Sequence, residues 1–318
     1  MGITYRIFLI TLIWLWVPKA LATSISVDFA HGADYESSTF SLDGEFGKPE
    51  KDEISYDWLG SFTKSKVNTQ DNLGNQVIDN SYTFVGGLGL ETPGRFSIGA
   101  DYSYSITPEE AIISYGPSLS FGYSHFFSQE DEELSLEYKK PRFAPRLTIK
   151  MNLSNQTHDE RFGTETRKGG SISRPTTGVN SIVQRSIGGS VSFRPIRLFR
   201  VRGSYTAYSY SRDVNGFLQY LDAQPRRVTG LSGSISGFPR YDFGFELDFY
   251  FGEGWEVALT ERRSKIISDE STSKTDKVMV YLDITESFRL GVGGQRSVSD
   301  AGSNTVANEG LLSLAYDF

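Results

Sequence analysis

A strict two-residue alternation that recurs from end to end constrains this chain more than any other feature. Between Tyr241 and Phe251, one set is Tyr241, Phe243, Phe245, Leu247, Phe249 and Phe251, and the set between them is Asp242, Gly244, Glu246, Asp248 and Tyr250. Successive side chains of a strand point to opposite faces, so each set occupies one face, whereas a helix would scramble both. The pattern returns with Phe96, Ile98, Ala100, Tyr102 and Tyr104 opposite Arg95, Ser97, Gly99, Asp101 and Ser103. It returns again with Leu147, Ile149, Met151 and Leu153 opposite Arg146, Thr148, Lys150 and Asn152, and with Val278, Val280, Leu282 and Ile284 opposite Lys277, Met279, Tyr281 and Asp283. Apart from a short acidic stretch at 130–140, no amphipathic helix is available to cover the apolar faces. Hydrocarbon outside and water inside satisfy both faces at once. In a bilayer the sheet must then close, so that every backbone donor and acceptor is paired. The fold expected is all-β: a single transmembrane antiparallel β-barrel.

Residues 1–22 read as an export signal. Arg6 supplies the positive start, Ile7 to Val17 the apolar run, and Ala20-Leu21-Ala22 small residues before a cut near Ala22. The apolar run is shorter than the roughly 20 residues a membrane-spanning helix needs. Residues 23–318 are left as one barrel domain. The net charge of −7 gives no overall support for binding nucleic acid. The absence of cysteine excludes thiolate metal sites and a cysteine nucleophile, and three histidines are few for a metal centre. No cofactor and no metal are expected.

The last nine residues, Gly310-Leu-Leu-Ser-Leu-Ala-Tyr-Asp-Phe318, place Leu312, Leu314, Tyr316 and Phe318 on one face and finish on an aromatic ring. With the export signal and the alternation, this segment resembles the closing strand of Gram-negative outer-membrane β-barrel proteins of the porin-like kind. The resemblance implies an integral outer-membrane protein, delivered by the barrel assembly machinery and surrounded by outer-membrane lipids and lipopolysaccharide. Such barrels have even strand numbers and short periplasmic turns. Fifteen candidate strands can be drawn, 227–238 among them, so one is spurious or one is split; the weak spots are the short opening segment and the stretch around Gly237-Phe238-Pro239-Arg240, a turn or a proline-bearing bulge. Fourteen strands are expected, with twelve as the runner-up. Stretches 158–179, 213–226, 268–274 and 299–306 are expected to be outer loops.

The residues between the apolar positions supply the functional candidates. Asp43, Glu45 and Asp57 come early, Arg95 and Asp101 next, Arg146, Lys150, Arg200 and Arg202 in the middle, and Asp242, Glu246, Asp248, Asp283 and Arg289 late. If these residues line a lumen, opposed basic and acidic sectors would bias the passage of ions. Alternatively they pair across neighbouring strands and fill the interior. A porin-like channel for passive diffusion of small hydrophilic solutes is therefore expected, and not an enzyme. The alternative is a structural or adhesive barrel, with Arg161, Arg167, Lys168 and Arg174 in an outer loop meeting a surface partner such as lipopolysaccharide phosphates. A membrane-embedded hydrolase using Ser124-His125 or His158-Asp159 is a third reading without a supporting motif; His158 is expected in a solvated loop. The acidic run 129–133 lacks the ordered spacing of a calcium loop.

Overall fold

The computed structural model describes residues 24–33, 35–46, 54–70, 76–92, 96–107, 112–127, 145–164, 167–168, 171–172, 176–214, 238–251, 254–267, 270–300 and 305–317. The export segment, Arg95, the stretch 129–140, most of 213–226 and Phe318 lie outside these residues. Fourteen strands form one closed antiparallel barrel: β1 (Ser24–Gly32), β2 (Tyr35–Phe46), β3 (Ser55–Gln70), β4 (Gln76–Glu91), β5 (Phe96–Thr107), β6 (Ile112–Phe126), β7 (Arg146–Thr164), β10 (Thr176–Ile196), β11 (Phe199–Tyr210), β12 (Pro239–Phe251), β13 (Trp255–Ile266), β14 (Thr272–Asp283), β15 (Phe288–Ser299) and β16 (Thr305–Asp317). Two short strands, β8 (Arg167–Lys168) and β9 (Ser171–Ile172), pair separately between β7 and β10.

The opening segment is a real strand, and it closes the ring. β1 pairs with β16 from Ser24↔Asp317 to Gly32↔Glu309. The candidate strand 227–238 lies outside the described residues except for Phe238, and the barrel closes without it. β12 begins at Pro239 with a register shift before Tyr241, in keeping with proline's lack of a donor for the ladder. Two expected loops need correction. The 158–179 stretch is mostly strand, because β7 and β10 stay paired out to Thr164↔Thr176. Backbone pairing, which a single segment's polarity does not report, sets the boundary here. The stretch 268–274 is likewise shortened by β14, which starts at Thr272.

Residues directly opposite in an antiparallel ladder share a face. On that basis Phe84, Leu88, Phe96, Ile98, Phe121, Ile149, Phe243, Phe245 and Leu312 occupy the outer wall, where Leu88 is 71% and Phe96 60% exposed. At the barrel end where β1 begins and β16 stops, this wall carries aromatic pairs, among them Phe96–Tyr123 at 5.0 Å and Phe199–Phe249 at 5.2 Å between ring centroids. At the opposite end the outer wall is charged. Lys274 bridges Glu261 (3.2 Å) and Asp276 (3.0 Å), and Arg263 pairs with Glu261 at 2.7 Å.

Candidate functional site: the barrel interior

The face opposite the exposed apolar residues holds most of the sequence-derived candidates. Asp43, Glu45, Asp57, Asp101, Arg146, Lys150, Arg200, Arg202, Asp242, Glu246, Asp248, Asp283 and Arg289 share it by register. Arg95 lies outside the described residues.

The ladder decides which of these charges meet. Arg200 lies directly opposite Asp248 and Arg202 opposite Glu246, because β11 and β12 run antiparallel in that register. Arg200 binds the Asp248 carboxylate and also reaches Glu246 at 3.0 Å, while Arg202 sits 3.5 Å from Glu246. Asp248 is only 1% exposed, so its charge is held by the guanidinium rather than by water. One step along, Arg262 of β13 pairs with Asp242 at 2.5 Å, and the Tyr208 hydroxyl donates to the same carboxylate at 2.7 Å. Arg289 pairs with Glu256 at 2.5 Å and lies 3.9 Å from Asp283. Its guanidinium stacks 4.3 Å from the Tyr281 ring centroid. That ring crosses Gly291 so closely that a Cβ there would lie 2.6 Å from it, which makes the missing side chain part of the stack. Arg194 stacks in the same way over Tyr250, at 4.4 Å.

A second group of charges is left without ion pairs among the described residues. Arg146 and Lys150 on β7 form one such sector. Glu45, Asp57 and Glu91 on β2 to β4 form another, with Glu45 directly opposite Asp57. Asp101 accepts from Ser118 at 3.1 Å, and Asp43 from Ser24. Among the described residues the interior therefore combines ion pairs on β11 to β15 with a basic sector on β7 (Arg146, Lys150) and an acidic one on β2–β4 (Glu45, Asp57, Glu91) that make none.

Two apolar clusters interrupt this polar wall. One joins Ala30, Tyr35, Met279 and Leu311, and the other Ile182, Val214 and Phe238. The second corrects the placement of His158, which lies on β7 rather than in a solvated loop. It is 3% exposed and packs edge-on against Phe238 at 5.7 Å. Its Nδ1 meets the Ser114 hydroxyl at 2.9 Å and its Nε2 the Gln184 amide oxygen at 3.3 Å, tying β6, β7 and β10 together. Asp159 points to the other face. Ser124 and His125 likewise face opposite sides of β6, with Ser124 bonded to Thr148 and His125 beside Phe127. Neither adjacent pair can bring a nucleophile and a base together.

Glu91, Arg194, Glu256, Arg262 and Glu309 also belong to this wall and were not singled out from sequence. Their position in the alternation carries the signal, although Glu91 and Arg194 stand beside proline-containing turns that obscure it. Glu309 is 6% exposed, and neither carboxylate oxygen has a hydrogen-bond partner among the described residues. A buried, unsatisfied charge is costly. Glu309→Gln is expected to raise the unfolding free energy by about 1–3 kcal/mol, as measured by denaturant titration in detergent; a lower stability would contradict this.

A scan against protein-family models finds no match, and no curated protein matches the chain. Solved structures do. The monoaromatic hydrocarbon channel CymD aligns at a TM-score of 0.53 and 8% identity, over 93% of this chain and 87% of that one. What the two share is the fold, a closed antiparallel β-barrel. A BenF-like porin from Pseudomonas fluorescens Pf-5 aligns at 0.41 and 9% identity, covering 92% of this chain and 96% of its own. The KdgM porin in complex with disordered oligogalacturonate aligns at 0.38 and 8% identity, covering 93% and 99%. At 8% identity the likeness to CymD concerns the fold alone.

Proposed function

We propose that this protein is an outer-membrane channel that lets small polar solutes diffuse passively through a hydrated lumen, without cofactor or covalent chemistry. The observation that carries this reading is the inner-wall charge that makes no ion pair among the described residues: Arg146 and Lys150 on β7 and Glu45, Asp57 and Glu91 on β2 to β4, inside a fourteen-strand ring. Ionised groups without a salt bridge need water, and rings of this size have room for it where eight-strand barrels are packed solid. Residues 1–22 would direct export and be removed near Ala22, and the apolar outer wall would meet outer-membrane lipid. Assembly in that membrane would rely on the barrel assembly machinery.

The outer wall also supports an orientation. Its salt-bridged charges lie at the end away from Ser24 and Asp317, while aromatic pairs such as Phe96–Tyr123 and Phe199–Phe249 lie at the end where β1 begins and β16 stops. We take the charged rim to face the cell surface, where lipid phosphates are densest. The paired extension of β7 and β10, 19 and 21 residues long, favours a second reading as a surface-binding barrel. Planar-bilayer recordings on folded protein separate the two: discrete conductance steps are expected for the channel. Persistent silence from preparations with intact strand content would overturn it.

A further inference from the structure

We propose that the outer wall carries a binding site for lipopolysaccharide, with an acyl chain in a groove floored by Gly60 and Gly86 and a lipid phosphate on Lys64. The site rests on the membrane-facing reading of this wall and is independent of whether the lumen conducts. One cross-strand row runs Leu42↔Gly60↔Gly86↔Tyr102 over β2 to β5. A Cβ added at either glycine would meet nothing within 4 Å. Two adjacent strands, each about 4.8 Å wide, thus lack side chains between a leucine and a tyrosine. The resulting groove holds about 420 Å³ and is almost wholly apolar. Phe62 and Phe84, 4.8 Å apart between centroids, bound it on the side toward the charged rim.

The next outward residue of β3 beyond Phe62 is Lys64. It is exposed, and its ammonium lies 5.8 Å from the Tyr82 ring centroid. Its ladder neighbours are Ser38 and Tyr82, neither of them acidic. On β13 and β14 the rim charges neutralise one another through the Glu261, Arg263, Lys274 and Asp276 network. Lys64 makes no ion pair among the described residues, which leaves this sector open to an anion. Gly60 and Lys64 are four residues apart, about 13 Å along a strand. An acyl chain in the groove would therefore run up toward a headgroup at the level of the ammonium. Hydrocarbon below and, above it, a cation that makes no ion pair among the described residues match an anionic lipid. A second barrel offers no such complement, because two convex walls touch along a line and leave a hollow unfilled.

The test uses the purified full-length protein in detergent, titrated with deep-rough lipopolysaccharide and with the same lipid after removal of its phosphates. Binding is read by native mass spectrometry, and strand content by circular dichroism. Gly60→Phe/Gly86→Phe fills the groove, Lys64→Glu reverses the cation, and Gly203→Phe repeats the substitution at another outward glycine with open space around it. Lys64→Glu and phosphate removal are each expected to weaken binding about fivefold, the worth of one lysine at an anionic membrane surface. The filled groove should weaken it at least as much, while Gly203→Phe should not change it. Equal affinity in the wild type and the filled variant would overturn the site. So would a filled variant that loses dimers but keeps its lipid, which would give the groove to a second copy of the chain. A wild type that is electrically silent yet binds lipopolysaccharide in this pattern would sink the channel reading and leave the site standing.

Discussion

Arg200→Ala is expected to lower the unfolding free energy by about 3–5 kcal/mol, the usual cost of removing one member of a buried ion pair. Asp248 faces the interior at 1% exposure, and Arg200 supplies its hydrogen-bonded counterion. On the other side of Asp248 the ladder offers only Ala258, whose methyl group cannot replace the cation. Arg202→Ala should cost far less, because Glu246 keeps Arg200 at 3.0 Å. The double variant Arg200→Met/Asp248→Leu should recover most of the loss, since it removes both charges together. Denaturant unfolding of the variants in detergent checks the cycle. A loss under about 1 kcal/mol for Arg200→Ala, the range of solvent-exposed pairs, would show that water already screens this site.

Charge reversal at Arg146 and Lys150 should move ion selectivity much further than neutralising Arg200 and Arg202, whose charges are already matched by Asp248 and Glu246. An ion passing roughly 8 Å from a unit charge gains or loses about 0.5 kcal/mol in a water-like medium. Arg146→Glu/Lys150→Glu changes the wall by four units, about 2 kcal/mol before screening, and a Debye length of about 8 Å leaves somewhat under 1 kcal/mol. Acting with opposite sign on the two ions of a salt, this gives about a tenfold rise in the cation-to-anion permeability ratio. Reversal potentials under a salt gradient measure it, and the change should shrink as ionic strength rises. An unchanged reversal potential would remove both residues from the conduction path.

The barrel was legible in the sequence because side-chain direction in a strand has period two, and the Tyr241–Phe251 stretch displays that period without interruption. The expected fourteen strands are the ones the closed ring contains, the short opening segment among them. What alternation does not carry is partnership. It puts Asp242 and Arg262 each on a face, but only the offset between β12 and β13 decides that they meet. The same limit hid the environment of His158: its neighbours in sequence are polar, and the residues that bury it, Ile182 and Phe238, arrive from β10 and from the residue just before β12. Loops were overextended for a related reason. Threonine and serine suit a wet ribbon as well as a turn, so the paired part of 158–179 reads as a connection until its partner strand is known.

The seam between the first and last strands has a bearing on how the molecule is made. Every other neighbouring pair in the ring can zip as soon as a hairpin or a modest connection is available, but Ser24 must find Asp317 across nearly the entire polypeptide. Such long-range encounters carry the largest loop-closure entropy and slow folding accordingly. Until they happen, β1 and β16 each present an unpaired edge, a template for mispairing with another chain. Completion of the cylinder is thus expected to be a late, all-or-none event, and a catalyst that shelters the two open edges would speed this step more than any other.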